Sequence, residues 1–168
     1  MIPSDQFVLF YNEIFKELEA RGKSELNRYY ARVAERQYGF MKDLLDQGGL
    51  KGLYEYNERI RVEENCVMKN EMLPDGGFHT RMLKCPSISK ALASDAGPCR
   101  VYCDHCPGWI LRVMTKVGYY EVYNLMSRTS PECEEFVYRD RESALKKYRE
   151  LVAEYGGDLI FTNALKIS

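Results

Sequence analysis

The sequence lacks an excess of either charge. Its 168 residues include 24 lysines and arginines against 25 aspartates and glutamates, so the net charge at pH 7 is −1. Proteins that bind nucleic acids or membrane surfaces neutralise phosphates or lipid head groups, and they use clusters of basic residues to do so. We therefore expect neither nucleic acid nor membrane among the partners, which leaves a small-molecule ligand as the expected class.

The sequence also lacks a long apolar run. Its first twenty residues mix apolar side chains with Asn12, Glu13 and Lys16, unlike the continuous apolar stretch of a signal peptide. No segment reaches the roughly 20 apolar residues that a membrane-spanning helix needs. These features predict a cytoplasmic protein. In a reducing cytoplasm, the six cysteines indicate metal ligands, reactive thiols or buried apolar residues rather than disulfides.

No linker, internal repeat or low-complexity segment divides the chain, so residues 1–168 are predicted to form a single α+β domain. Helical patterns fill the N-terminal third. An antiparallel sheet of two hairpins with covering helices is expected to follow. Alternating apolar residues around turn-forming sequences predict the strands at residues 67–73, 78–84, 119–126 and 133–138. A further short strand is expected near residues 159–162.

Glycines and capping residues mark the helix ends. Gly48 and Gly49 are expected to stop the second helix before a short third one, and Asp140 is expected to cap the last helix. The first helix is predicted to bury the face that carries most of its large apolar residues, which are Phe7, Phe10, Tyr11, Ile14 and Leu18.

Histidine and tryptophan are scarce, and one short stretch concentrates them. Residues 99–109 hold one of the two histidines, the only tryptophan and three cysteines. Cys103 and Cys106 have a spacing at which two thiolates reach one metal ion from a tight turn or a helix start. Because two ligands do not complete a tetrahedral site, the expected further ligands are Cys99, His105 and Cys133. Soft thiolate donors favour zinc, which is the predicted cofactor.

Reactive thiols are an alternative to metal ligands. Cys85 and Cys106 are the candidate nucleophiles, and His79 is the candidate base if the first hairpin packs beside the cysteine-rich segment. Simple burial of the cysteines as small apolar residues also explains the pattern, and the three interpretations stay open. The residues expected to line a ligand pocket beside the cysteines are Trp109, Tyr119 and Tyr123.

Several local features together resemble a known family. They are Lys84-Cys85-Pro86 at a strand end, the Cys-x-x-Cys helix start at residues 103–106, the strand after Gly118, and the sequence PECEEFVY at residues 131–138. With the helical segment at residues 29–46, this order of features resembles the L-2-amino-thiazoline-4-carboxylic acid hydrolase-like family. That family is itself similar to 4-vinyl-reductase-type small-molecule-binding domains.

The resemblance implies a cytosolic bacterial protein whose helices and sheet enclose a small-molecule pocket. It also implies a hydrolase acting on a cyclic C–N bond, and a zinc ion near the last hairpin held by Cys103, Cys106, Cys133 and Glu132. The chain departs from the family pattern in the final strand, where Cys-Glu-Glu-Phe replaces Cys-Asp-Phe, so the substrate is left unassigned. The alternative is a non-catalytic, metal-stapled ligand sensor or interaction module. Either interpretation is compatible with a homodimer.

Overall fold

A computed structural model describes the backbone of residues 3–165 and the side chains of residues 5–165. The domain has the predicted α+β architecture, in which long helices precede the sheet. The helices are α1 (Pro3–Arg21), α2 (Lys23–Glu63), α3 (Pro86–Leu92), α4 (His105–Val117) and α5 (Arg141–Tyr155). The strands are β1 (Val67–Met72), β2 (Phe78–Lys84), β3 (Tyr120–Asn124), β4 (Cys133–Tyr138) and β5 (Ile160–Thr162).

Both predicted hairpins belong to one antiparallel sheet, with the strand order β1-β2-β4-β3-β5. The short C-terminal strand β5 is also present and pairs with β3. Pairing between β2 and β4 joins the hairpins, because it places Thr80 opposite Glu135 and Met82 opposite Cys133. The end of β2 therefore lies close to the start of β4, which brings distant cysteines into one region.

Each face of the sheet has its own helical cover. On one face, Phe78, Tyr123 and Val137 pack against α2 and α4 in the largest core cluster. On the other face, Val122 and Phe136 pack against α5. Helix α5 begins as predicted, since the Asp140 side chain accepts a hydrogen bond from Ser143 N at 2.7 Å. Alternation along each strand thus assigns every side chain to one of two separate environments.

Helix α2 is two helical arms that fold back on each other at Gly49. That residue has φ 55° and ψ −146°, a conformation that glycine adopts readily and that interrupts the helix. The rings of Phe40 and Tyr56 lie 5.1 Å apart, although sixteen residues of straight helix span about 24 Å. The predicted stop at Gly48-Gly49 is confirmed. The first arm (residues 23–48) and the second arm (residues 50–63) form opposite walls of a space above the sheet.

The predicted buried face of α1 is wrong. Phe7 and Phe10 are each 60 % exposed, whereas Val8, Asn12 and Phe15 are buried. The reason is the buried Asn12 side chain, whose Nδ2 donates to Gly97 O at 2.8 Å and whose Oδ1 accepts from Cys99 N at 2.6 Å. These two bonds orient α1 toward the segment before α4. A polar residue thus sets the buried face, which apolar spacing does not reveal.

Close packing explains a glycine in the cysteine-rich segment. Gly108 lies in the first turn of α4, and a Cβ built on it would approach the ring of Tyr30 to 2.5 Å. The absence of a side chain at Gly108 therefore lets α4 approach the first arm of α2 closely. Within residues 3–165, no helix is both long and apolar enough to cross a membrane.

Candidate ligand-binding cavity

A cavity of about 200 Å³ lies between the two arms of α2, helix α4 and the sheet. Beside it lies a second cavity of about 130 Å³, which shares Asn57, Ile60, Tyr123 and Glu135 with the first. We call the two together the inner cavity. Their combined volume reaches the lower end of the range typical of ligand pockets, roughly 300 Å³. The cavity exists because α2 reverses at Gly49 and holds its arms on either side of this space.

Aromatic side chains form much of the wall. Phe40 and Tyr56 come from opposite arms of α2, Trp109 comes from α4 and Tyr123 comes from β3. Phe40 is 45 % exposed and contacts the Tyr56 ring, so this pair lies where the cavity meets the surface. Trp109 and Tyr123 line the cavity as the sequence predicted. Tyr119 does not line it but packs in the core, where it is 2 % exposed.

The floor of the cavity carries an acidic residue that the sequence analysis did not select. Glu135 lines both parts of the inner cavity and contacts the carboxyl group of Glu121, which is fully buried. Burial, together with the charge of Glu135, raises the pKa of Glu121 well above its usual value. Burial also raises the pKa of Glu135. Glu121 therefore keeps its proton and donates a hydrogen bond to Glu135.

Four thiols meet beside this floor. Cys103 and Cys106 belong to the start of α4, Cys85 follows β2, and Cys133 begins β4. Burial raises the pKa of all four thiols, and the charges of the neighbouring cysteines raise the pKa of Cys85, Cys103 and Cys133 further. The predicted convergence of Cys85 and Cys133 on the cysteine-rich segment is thus present, and Cys106 itself lines the cavity.

Cys106 has an imidazole neighbour. Its Sγ lies 3.3 Å from Nε2 of His105, whose Nδ1 donates to Tyr102 O. Burial lowers the pKa of His105, so the ring is neutral, and the bond at Nδ1 leaves Nε2 as an acceptor for the Cys106 S–H. The His105 ring stacks on Phe15 with centroids 5.1 Å apart, which fixes its orientation.

The metal-ligand set expected from the sequence is not assembled as a whole. Cys99 is 3 % exposed, and its Sγ donates to Glu19 of α1 at 3.1 Å. Among the described residues, no group of three or more histidine, cysteine, aspartate or glutamate side chains has a geometry that could hold a metal ion. Zinc binding stays a prediction, and elemental analysis of the purified protein tests it.

His79 lies on the opposite face of the sheet from Cys106 and is not its base. The ring stacks on Phe136 with centroids 4.2 Å apart, and its two nitrogens contact Glu71 at 2.8 Å and Glu134 at 3.3 Å. Burial alone would lower the pKa of His79, but the bonds to these two carboxylates raise it. His79 is therefore part of an ion-pair cluster beneath α5. The imidazole that contacts a thiol is that of His105, which lies beside Cys106, and not that of His79 as expected.

A larger cleft of about 570 Å³ opens between α1, the first arm of α2 and α4. Four of its charged side chains have partners, among them Asp104, which pairs with Arg128 at 2.8 Å, although Arg112 Nε is buried without one among the described residues. Arg100 pairs with Glu19, and Arg112 donates to Asn27 at 3.2 Å. We favour the smaller inner cavity as the functional site, because an apolar pocket with a few convergent polar groups is typical of ligand sites.

The sequence contained a signal for the missed acidic pair. Residues 119, 121, 123 and 125 are Tyr, Glu, Tyr and Leu, so alternation places Glu121 on an otherwise apolar face. Glu135 likewise lies between Cys133 and Val137 on the face that points at α2. A carboxyl group at a position that strand periodicity assigns to the core indicates a paired or functional residue.

Comparison with known proteins yields a negative result. No protein-family model, curated protein or solved structure matches the chain. The family resemblance described from the sequence therefore stays a prediction. The geometry of the inner cavity carries the functional proposal.

Proposed function

We propose that this domain binds a small organic molecule in the inner cavity. The observation that carries the proposal is a cavity lined by the aromatic residues Trp109, Tyr56 and Tyr123 together with the polar residues Glu135 and Cys106. Aromatic walls bury the apolar body of a ligand, and a few fixed polar groups orient it. The resemblance to small-molecule-binding domains is in keeping with this proposal.

The chain offers a built-in reporter for the binding test. Trp109 is the only tryptophan and lines the cavity, so a bound molecule should change its fluorescence. A library of cyclic amides, thiazolines and small aromatic compounds is screened by this signal and by thermal unfolding. A ligand that binds the folded state alone raises the melting temperature with its concentration.

A cavity-filling variant locates the site. Ile60 lines both parts of the inner cavity, so Ile60→Phe should weaken binding at least tenfold. Val62→Phe is the matched control, because Val62 belongs to the same arm of α2 and is 69 % exposed. Equal affinity in the two variants, or a library without any ligand, contradicts the proposal.

A hydrolase is the second candidate function, and the contact between Cys106 and His105 favours it. In this scheme the Cys106 sulfur attacks the carbonyl carbon of a cyclic amide while His105 takes the thiol proton. The C–N bond breaks and the nitrogen receives that proton. Water then hydrolyses the thioester, restores the thiol and releases the ring-opened acid. The net reaction adds one water molecule to the ring.

The two candidate functions are separated by product formation. For catalysis, mass spectrometry should show a gain of one water molecule by a cyclic amide, and Cys106→Ser and His105→Gln should both abolish that product. Cys99→Ser is the control, because Cys99 bonds to Glu19. Binding without product, or unchanged turnover in Cys106→Ser, rules out the thiol mechanism.

A further inference from the structure

The acidic pair at the cavity floor defines a chemical preference for the ligand. Glu121 and Glu135 lie on the same face of β3 and β4, because Glu121 is opposite Val137 and Tyr123 is opposite Glu135. Their carboxyl groups are thus diagonal neighbours. Glu121 is fully buried, and among the described side chains no hydrogen-bond donor of the protein reaches either of its carboxyl oxygens. The carboxyl group that it contacts is that of Glu135.

This arrangement provides more acceptors than donors. Two carboxyl groups that share one proton in an apolar setting have four oxygens and one O–H donor, and they carry a single negative charge. Thr80, directly across from Glu135, contacts the Glu135 carboxyl group, but its single hydroxyl proton is directed to Asn70 Oδ1 at 2.8 Å. Glu135 lines both parts of the inner cavity, so its carboxyl group can accept a hydrogen bond from a ligand there.

The cavity wall supplies no cation to balance this charge. None of the described residues that line the inner cavity is a lysine, arginine or histidine. Arg81 and His79 bond to Glu134 on the other face of the sheet, from where the charge of His79 lowers the pKa of Glu135. Because that imidazole is already bonded to another carboxylate, a ligand that brings positive charge and N–H donors next to Glu135 stabilises its negative charge further.

The aromatic wall favours the same ligand class. Trp109 and Tyr56 present ring systems to the cavity, and the faces of such rings attract organic cations. An anionic ligand would meet Glu135 without a counter-ion and would be repelled. This inference rests on the proposed binding of a small molecule. Among small molecules, these contacts favour one that carries a positive charge.

We propose that the ligand of the inner cavity is an organic cation with a protonated nitrogen, which donates to Glu135 while its apolar body packs between Trp109 and Tyr56. The class includes primary amines and amidines with one small ring. Glu121 acts as a positioning residue, because its hydrogen bond holds the Glu135 carboxylate against the cavity.

The test compares probes of equal shape and different charge. Benzylamine, benzyl alcohol and benzoate are titrated into the protein at about pH 8, where the amine is largely protonated. Trp109 fluorescence and the melting temperature are followed. We expect benzylamine to bind at least tenfold more tightly than benzyl alcohol, and benzoate to bind more weakly than either.

Variants assign the preference to Glu135. Glu135→Gln should remove the advantage of benzylamine over benzyl alcohol. Glu132→Gln is the matched control, because Glu132 is a half-exposed carboxylate near the start of the same strand and contacts Arg81. It should keep the preference. The comparison of the probes on the unaltered protein remains decisive even if Glu135→Gln folds poorly.

The outcomes separate this inference from the proposed function. If the alcohol binds as tightly as the amine, or if Glu135→Gln retains the preference, the cation inference is overturned while ligand binding stands. The inference is also overturned if neither probe binds a protein that does bind a neutral molecule of the library. If no molecule of any charge binds, the proposed function itself fails.

Discussion

Replacing Glu134 by glutamine tests whether the ion-pair cluster beneath α5 stabilises the fold. Glu134 is buried, and its carboxylate lies on the face of the sheet under α5, where it accepts from Arg81 Nη1 at 3.0 Å and Asn124 Nδ2 at 2.9 Å. His79 contacts the same carboxylate at 3.3 Å. Glu134→Gln removes the negative charge and keeps the shape of the side chain.

The pKa of Glu134 gives the expected magnitude. Burial alone would raise this pKa, but the bonds from His79, Asn124 and Arg81 outweigh burial and lower it from 4.5 to about 2. At roughly 1.4 kcal/mol for each tenfold change in proton affinity, the ionised form contributes about 3 kcal/mol. We expect Glu134→Gln to lower the free energy of unfolding by about that amount.

The pH dependence of this loss follows from the direction of each shift. Because the pKa of Glu134 is lowered by folding, its contribution is present above the unfolded value of 4.5 and is lost as the pH falls toward 2. The pKa of His79 is raised by folding, so its contribution is complete below 6.5 and is lost as the pH rises through the raised value. The cluster should stabilise the fold most between about pH 5 and pH 6.5.

Urea unfolding followed by circular dichroism measures the effect at about pH 3, 5.5 and 8. The difference between the unaltered protein and Glu134→Gln should be largest at pH 5.5 and should shrink toward pH 3. Glu132→Gln is the control, since Glu132 is 44 % exposed and contacts Arg81 only at 3.5 Å; its effect should stay below about 1 kcal/mol. A difference for Glu134→Gln that is the same at all three pH values would refute the reasoning.

Three further predictions concern packing and the thiols. Gly108→Ala should destabilise the protein by about 1–3 kcal/mol, because the new Cβ meets the ring of Tyr30. Gly39→Ala should stabilise α2 by up to about 1 kcal/mol, because the new Cβ meets no other atom within 4 Å. Urea unfolding of both variants measures these changes. Asn12→Ala should cost about 1–3 kcal/mol in the same assay, since it leaves a buried backbone N–H and C=O without their partners. Elemental analysis of untagged protein tests the zinc prediction. If the protein holds about one zinc ion per chain and Cys103→Ser loses it, the thiols draw together when zinc binds. Metal-free protein with the same melting temperature as Cys103→Ser contradicts the zinc prediction.

The sequence by itself determined the elements and their pairing within hairpins. The turn after β1, the helix stop at Gly49 and the cap at Asp140 are each set by residues within a few positions of the feature. Such signals act through local backbone geometry and short hydrogen bonds, so they can be interpreted without knowledge of the rest of the chain. The α+β class follows from their order.

The sequence also indicated part of the site. Trp109 and Tyr123, which were expected to line a ligand pocket, and Cys106 line the inner cavity, because α4 packs against β3. Glu135 is not among the residues that the sequence predicted for the site. The identity of an acidic residue in a strand does not reveal whether its side chain faces water or the core. The packing of α2 over this face of the sheet decides that for Glu135.

Tertiary structure alone decided which faces meet. His79 is directed away from the thiols because β2 pairs with β4 in a register that places it beside Phe136, under α5. The buried face of α1 depends on Asn12, whose partners lie more than eighty residues away in the chain. These choices depend on hydrogen bonds and packing between distant segments. Periodicity within a single element does not encode them, because it fixes which side chains share a face but not what that face contacts.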